Sequence, residues 1–330
     1  MKVLIAIRPK GPLPGHDLFV DELKRAFPGV EFVATSSTEE QVVTVRDANV
    51  VYGWPSRELL VAAERLEWIH CPGTGIDDLT RISELVENEV VLTNARGPHA
   101  NPMADHVFGM MISLTHQLAE MRDDQKAHRW RKLDYWNQVE LAGSTMGILS
   151  LGDIGAAVAR RASGFDIQVY AVDKYPDRVL QQNGGAPPDN VKELWGLERL
   201  DDLMTICEWF VVAAPLTPET RGLIDKRRLS IMKTGAYVIV ISRGGIVDEV
   251  ALYDALRSGK LAGAGLDAFD EEPLPDDNPL WDMDNVVITP HASALTSKMW
   301  EGRHGIFKEN LRRFLAGEPF LYVCDKKAGF

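Results

Sequence analysis

Met146-Gly147-Ile148-Leu149-Ser150-Leu151-Gly152-Asp153-Ile154-Gly155 carries an apolar run through a glycine-marked bend into a helix that begins near Ala156. Met146–Leu149 reads as a strand, and small residues at positions 150, 152 and 155 let the backbone pass close to whatever lies at the helix N-terminus. Unpaired N–H groups there favour negative charge. Ser150 stands where a G-x-G-x-x-G spacing would have its first glycine, so strain is expected in that turn. The next strand, Gln168–Val172, ends on Asp173.

The same alternation of strand and helix continues in both directions. Val3–Ile7, Val30–Ala34, Val50–Tyr52, Trp68–Cys71 and Val90–Thr93 read as strands before the glycine turn. Trp209–Ala213, Tyr237–Ile241, Ala262–Leu266 and Val286–Thr289 read as strands after it. A βα rhythm predicts parallel, helix-covered sheets, the α/β class. Asn101 and Pro102 suit an N-cap and first helical position, and Met103, Val107, Met110, Met111, Leu114, Leu118 and Met121 follow at helical spacing. That long helix reads equally well as a bridge between domains or as core within one. A last helix is expected from about Thr296 to Leu315.

The 330 residues suit two domains rather than one core. A net charge of −12, from 48 acidic and 36 basic residues, opposes binding to nucleic acid. Cys71, Cys207 and Cys324 are few, scattered and without metal-ligand spacing, which fits a reducing cytoplasm. The opening run stops at Arg8-Pro9-Lys10-Gly11, too soon for a signal peptide, and no apolar window is long enough to span a membrane.

The glycine turn resembles the dinucleotide fingerprint, and Asp173 stands where an acid binds the adenosine ribose. A carboxylate there repels a 2′-phosphate, which favours NAD over NADP. Three later strands also end on polar residues: Arg243 after Val238–Ile241, Asp267 after Ala264–Leu266, and His291 after Val286–Pro290. Ligands of open parallel sheets bind at the carboxyl ends of strands. With Glu272 these residues supply an anion clamp, a histidine and a carboxylate, the groups needed to reduce a keto acid.

Ser242-Arg243-Gly244-Gly245-Ile246-Val247-Asp248-Glu249, Gly265-Leu266-Asp267 with Glu272-Pro273-Leu274-Pro275, Thr289-Pro290-His291 and Pro215-Leu216-Thr217-Pro218-Glu219-Thr220-Arg221-Gly222 together resemble the D-isomer-specific 2-hydroxyacid dehydrogenase family. The resemblance runs from the Cys71–Asp77 loop to the C-terminal helix. It implies two Rossmann-like domains, with the nucleotide-binding one (residues 100–293) inserted into a flavodoxin-like substrate domain (1–99 with 294–330), and an active site in the crevice between them. It also implies interconversion of small 2-keto and D-2-hydroxy acids of the glyoxylate or hydroxypyruvate type, with NAD and without a metal. His291 would be the acid–base group, Glu272 its partner favouring the protonated form, and Arg243 the ligand of the substrate carboxylate and carbonyl. Backbone N–H groups of Gly73, Thr74, Gly75 and Ile76 would hold the same carboxylate. Gly152, Asp153, Ile154, Gly155, Asp173, Pro215, Thr220, Ile241, Ser242, Arg243, Asp267, His291 and Ala294 would line the cofactor. A homodimer is implied too, with the methionines of the Asn101 helix at its contact.

Related chemistry fits less well. Formate dehydrogenases pair the histidine with glutamine rather than Glu272, and phosphite dehydrogenases carry a lysine where Thr74 stands. Phosphoglycerate dehydrogenase remains open, although many of its forms have a further C-terminal domain beyond the point where Phe330 falls. A non-catalytic NAD-sensing scaffold of the corepressor kind also remains open; the disordered tail usual there is not seen. Trp54 reads as a pocket wall or as core, and Cys71 as packing rather than chemistry.

Overall fold

The computed structural model describes residues 1–7, 16–130, 132 and 138–329; the break expected at Arg8-Pro9-Lys10-Gly11 lies outside them. The chain divides into two units, one made of Met1–Pro98 with Thr296–Phe330 and the other of His99–Leu295.

In the first unit, β1 (Lys2–Ala6), β2 (Glu31–Thr35), β3 (Val50–Gly53), β4 (Trp68–Cys71) and β5 (Val91–Asn94) form a sheet in the order β2-β1-β3-β4-β5. All neighbours are parallel, and this is the flavodoxin-like order. Alternate residues feed opposite cores. Leu4, Val51, Ile69 and Leu92 pack on one face. Val3, Ile5, Val50, Tyr52 and Trp68 pack on the other, where Phe307 and Leu311 of the last helix (Ser297–Ala316) cover them. That helix starts at Thr296, whose side chain accepts from the Met299 N–H, the usual way to satisfy a first-turn donor.

The second unit's strands are β6 (Thr145–Leu149), β7 (Gln168–Val172), β8 (Val191–Trp195), β9 (Trp209–Val212), β10 (Ala236–Val240), β11 (Leu261–Leu266) and β12 (Val286–Ile288). They lie in the order β12-β11-β10-β9-β6-β7-β8. Counted from β6 this is the Rossmann order 3-2-1-4-5-6, extended by one strand. Strand β8 is absent from the sequence-based expectation. It pairs only with β7 and places Lys192 and Glu193 in solvent, so an edge strand lacks the apolar run that identifies its neighbours.

The expected long helix is two: Ala100–Thr115 and Leu118–Lys126. Thr115 Oγ donates back to the Met111 carbonyl at 2.8 Å, a bond that bends helices, and Gln117 sits at φ +51°. The start also differs, since His99 is the N-cap and Asn101 and Pro102 lie inside the first turn. Proline is tolerated there because first-turn N–H groups have no helical partner. The methionines expected at a dimer contact face inward. Met103, Met110 and Met111 are 8%, 3% and 0% exposed and fill this unit's own core. Among the described residues no helix is long and apolar enough to cross a membrane.

Candidate active site

The glycine turn forms with the strain expected of it. Ser150 adopts φ +76°, a left-handed conformation that costs a side-chain-bearing residue on the order of 1 kcal/mol. Asp173 holds it there. One carboxylate oxygen accepts from the Leu151 N–H at 2.8 Å and from Ser150 Oγ at 3.3 Å, and the other accepts from the Tyr175 N–H at 2.8 Å. A Cβ on Gly155 would lie 2.2 Å from the Ser150 carbonyl oxygen, so only glycine fits. At Gly152, the N-cap of helix Asp153–Ala162, a Cβ would meet nothing within 4 Å. The turn therefore presents an open backbone face and the N-terminus of a ten-residue helix, with Asp153 and Ile154 in its first turn, as a pyrophosphate requires.

Further along the same sheet edge, Pro215 follows β9 and is exposed. Thr220 closes the turn behind it, donating to the Pro215 carbonyl at 2.7 Å and accepting from the Thr217 N–H at 2.8 Å. Ile241 and Ser242 are buried at the end of β10. Ser242 Oγ has no hydrogen-bond partner among the described residues, which suits a group waiting for a ligand. Turn, helix end and orphan hydroxyl fit a dinucleotide.

β10, β11 and β12 are adjacent and parallel, so the residues after them share one edge. Arg243 leaves β10 and donates through Nη1 to the Ser242 carbonyl at 2.9 Å. The following turn is packed tightly against the segment leading to Glu272, since a Cβ on Gly244 would lie 2.0 Å from the Phe269 carbonyl. Glu272 accepts from the Phe269 N–H at 3.0 Å and meets His291 Nδ1 at 2.8 Å through Oε2 and 3.1 Å through Oε1. A carboxylate only accepts, so Nδ1 carries the proton and Nε2 remains for proton exchange. Partial burial alone would raise the Glu272 pKa. The bonds from His291 and Phe269 and the charges of His291 and Arg243 outweigh it and leave the carboxyl below its ordinary range. Its acidic neighbour Asp270 donates its N–H to Glu249 at 2.6 Å, and burial raises both of those carboxyls.

His291 itself stands at φ +52°, and Asp267 secures the loop around it. Asp267 is fully buried and accepts from Thr289 Oγ at 2.6 Å, the Ala292 N–H at 2.8 Å and the Ser293 N–H at 3.0 Å. These three bonds to its carboxylate all come from the His291 loop, a role the sequence did not suggest. Ala294 ends that loop, half-buried.

Gly73, Thr74, Gly75 and Ile76 lie in the first unit, after β4. Their carbonyls are engaged. Gly73 accepts from the Ala95 N–H at 3.0 Å, Thr74 from Asn94 Nδ2 at 2.7 Å, and Ile76 from Leu79 and Thr80. Gly75 accepts weakly from Cys71 Sγ at 3.8 Å, so all four carbonyls of the loop are occupied. Trp54 packs against it, 3.3 Å from where a Gly73 Cβ would be. Asn94 went unnoticed in the sequence because a lone asparagine at a strand end carries no pattern.

Residues 108–293 match the family model described as "D-isomer specific 2-hydroxyacid dehydrogenase, NAD binding domain". The chain belongs to the D-isomer specific 2-hydroxyacid dehydrogenase family. Other members resemble it over most of its length. A D-3-phosphoglycerate dehydrogenase of Methanocaldococcus jannaschii is 32% identical over 87% of this chain and 53% of its own. A glyoxylate reductase of Thermococcus onnurineus is 34% identical over 86% of this chain and 84% of its own. The chain thus spans about half the length of the phosphoglycerate dehydrogenases it matches. A D-isomer specific 2-hydroxyacid dehydrogenase from Xanthobacter autotrophicus, solved with NADPH and MES, superposes with a TM-score of 0.83 at 29% identity, covering 100% of this chain and 99% of that one. The matched segment is the family's NAD-binding domain, so the second unit is built to hold a nicotinamide dinucleotide.

Proposed function

We propose that this chain reduces small 2-keto acids of the glyoxylate and hydroxypyruvate type to D-2-hydroxy acids, and catalyses the reverse oxidation. The observation that carries the reading is the His291–Glu272 pair, bonded through Nδ1 at 2.8 Å beside the strand that delivers Arg243. When bound, the nicotinamide supplies or takes up the hydride. His291 Nε2 gives a proton to the carbonyl oxygen in reduction and removes it in oxidation. Glu272, charged through the neutral range, fixes the ring's orientation and offsets the imidazolium charge. Arg243 pairs with the substrate carboxylate and stabilises negative charge developing on the carbonyl oxygen. The N–H groups of the Gly73–Ile76 loop are likewise proposed to bind a carboxylate. We assign substrate binding to residues 1–99 with 294–330 and dinucleotide binding to 100–293.

NAD(H) is the proposed cofactor because the Asp173 carboxylate, fixed by the Leu151 and Tyr175 N–H groups, opposes a 2′-phosphate at the end of β7. Three buried free thiols suit the cytoplasm. The test is NADH and NADPH oxidation with glyoxylate, hydroxypyruvate, pyruvate, phenylpyruvate and phosphohydroxypyruvate. Steady turnover fastest with glyoxylate or hydroxypyruvate is expected, with NADH preferred. Fastest turnover of phosphohydroxypyruvate would move the substrate to the phosphorylated acid. Tight NADH binding without turnover of any of them would make the chain a sensor rather than an enzyme.

A further inference from the structure

We propose that His106 is a positioning residue for the loop that carries His291. It stands on helix Ala100–Thr115. Its Nε2 lies 3.0 Å from Thr289 Oγ. The direction of that bond follows from its neighbour. Thr289 has one hydroxyl hydrogen, and it goes to Asp267 Oδ1 at 2.6 Å. Thr289 Oγ can therefore only accept from His106, so His106 Nε2 carries a hydrogen. The result is a directed chain in which His106 Nε2–H donates to Thr289 and the Thr289 hydroxyl donates to Asp267. The two Asp267 oxygens receive the N–H groups of Ala292 and Ser293. Thr289, Ala292 and Ser293 bracket His291, whose left-handed backbone persists only where its surroundings over-determine it.

The helix is well placed to anchor that chain. Met110, one turn beyond His106, packs so closely on β11 that a Cβ on Gly265 would lie 2.7 Å from its sulfur. Gly265 is two residues before Asp267. One face of one helix thus fixes both the strand that supplies Asp267 and the hydroxyl that Asp267 holds. Bonds aligned donor to acceptor also strengthen one another in a buried setting. Removing the first donor weakens the rest of the chain without touching His291, Glu272 or the cofactor turn.

The inference rests on the reading of His291 as the acid–base group, so the experiment separates the two. Amide hydrogen exchange at Ala292 and Ser293, kcat for glyoxylate reduction and the NADH dissociation constant are measured in wild type, His106→Leu, His106→Gln and His291→Ala. In His106→Leu the two amides should exchange about five-fold faster, the size of one lost hydrogen bond. kcat should fall by a similar factor with NADH binding unchanged. His106→Gln, which keeps an N–H at similar reach, should restore both; strand amides of β6 and β9 serve as the folding control. Unchanged exchange at Ala292 and Ser293 in His106→Leu overturns the proposal, as does a glutamine variant no better than leucine while the control amides stay protected. Undiminished turnover in His291→Ala instead defeats the reading of the acid, and the exchange result still decides whether His106 holds the loop.

Discussion

Both units end parallel strands on elements proposed to bind ligand, yet they furnish those elements from different parts of the chain. The second unit uses side chains: Arg243, Asp267, Glu272 and His291 follow three adjacent strands. The first unit uses backbone, a Gly73–Ile76 loop whose carbonyls are tied down by Ala95, Asn94, Leu79 and Thr80. Their histidines differ as well. His291 has a side chain 42% exposed and a carboxylate partner, whereas His70 on β4 is fully buried with only Thr93 Oγ at 2.8 Å. Thr93 Oγ also accepts from Trp68 Nε1 at 2.8 Å, and His70 Nε2 is left without a partner among the described residues. One unit exposes its histidine to protons, and the other has closed its histidine off from them.

That contrast gives the largest expected effect, on acid stability. Burial, and after it the Arg303 charge, push His70 down to about 3. In the unfolded chain it titrates near the ordinary histidine value, about 6.5. Between those values the unfolded state binds the extra proton, so stability falls as pH falls, by up to about 1.4 kcal/mol per pH unit, and levels off below the folded value. Unfolding by urea at pH 7, 6, 5 and 4 should show this slope, and His70→Gln, which keeps an acceptor without the titration, should flatten it. Parallel slopes in the two proteins would mean that His70 is not closed off.

Next in size is the loss of Arg243. Arg243→Ala should cost about 3 kcal/mol in kcat/KM, because a carboxylate and a developing oxyanion lose the same charged donor. Arg243→Lys should recover only part, since an ammonium cannot form a two-pronged pair. Near-wild-type turnover in the alanine variant would sink the assignment of the second unit's side chains.

These two effects also mark what the sequence could reveal. Strand ends bearing Arg243, Asp267 and His291 are legible because a charged residue after a β-branched run stands out, and the parallel, helix-covered sheets follow from the βα rhythm. The edge strand Val191–Trp195 escapes because one side faces water. The break at Gln117 escapes because a helical apolar pattern runs across it. The bonds of Asp267 to Ala292 and Ser293 join residues distant in sequence through backbone groups every residue possesses. Nothing in residue identity announces them.

A smaller effect probes the first unit's backbone cradle. Asn94→Ala removes the bond from Nδ2 to the Thr74 carbonyl and should loosen the loop without touching the reacting groups. The loss of about 1 kcal/mol should appear as a rise of several-fold in KM for the keto acid, with kcat and NADH affinity nearly unchanged. An equal fall in kcat would place Asn94 with the transition-state groups and erase the division between backbone binding and side-chain chemistry.

The smallest effect concerns cofactor choice and lies wholly in the second unit. Lys174, next to Asp173, is the cation best placed in sequence to meet a 2′-phosphate, but Glu219 of the turn after β9 engages its Nζ at 3.3 Å. Glu219 also accepts from Thr217 Oγ at 2.9 Å, so Glu219→Gln keeps the turn's bond while removing the charge that restrains the lysine. The released ammonium would favour NADPH, and the ratio of kcat/KM for NADPH over NADH should rise about two- to five-fold. Larger gains are not expected, since exposed ion pairs contribute little and Asp173 still opposes the phosphate. Asp173→Ala should move the ratio further, and the double variant further again, because one change removes repulsion and the other frees attraction. If Asp173→Ala leaves the ratio where it was, the carboxylate serves only to brace Ser150 and Leu151, and cofactor choice is made elsewhere.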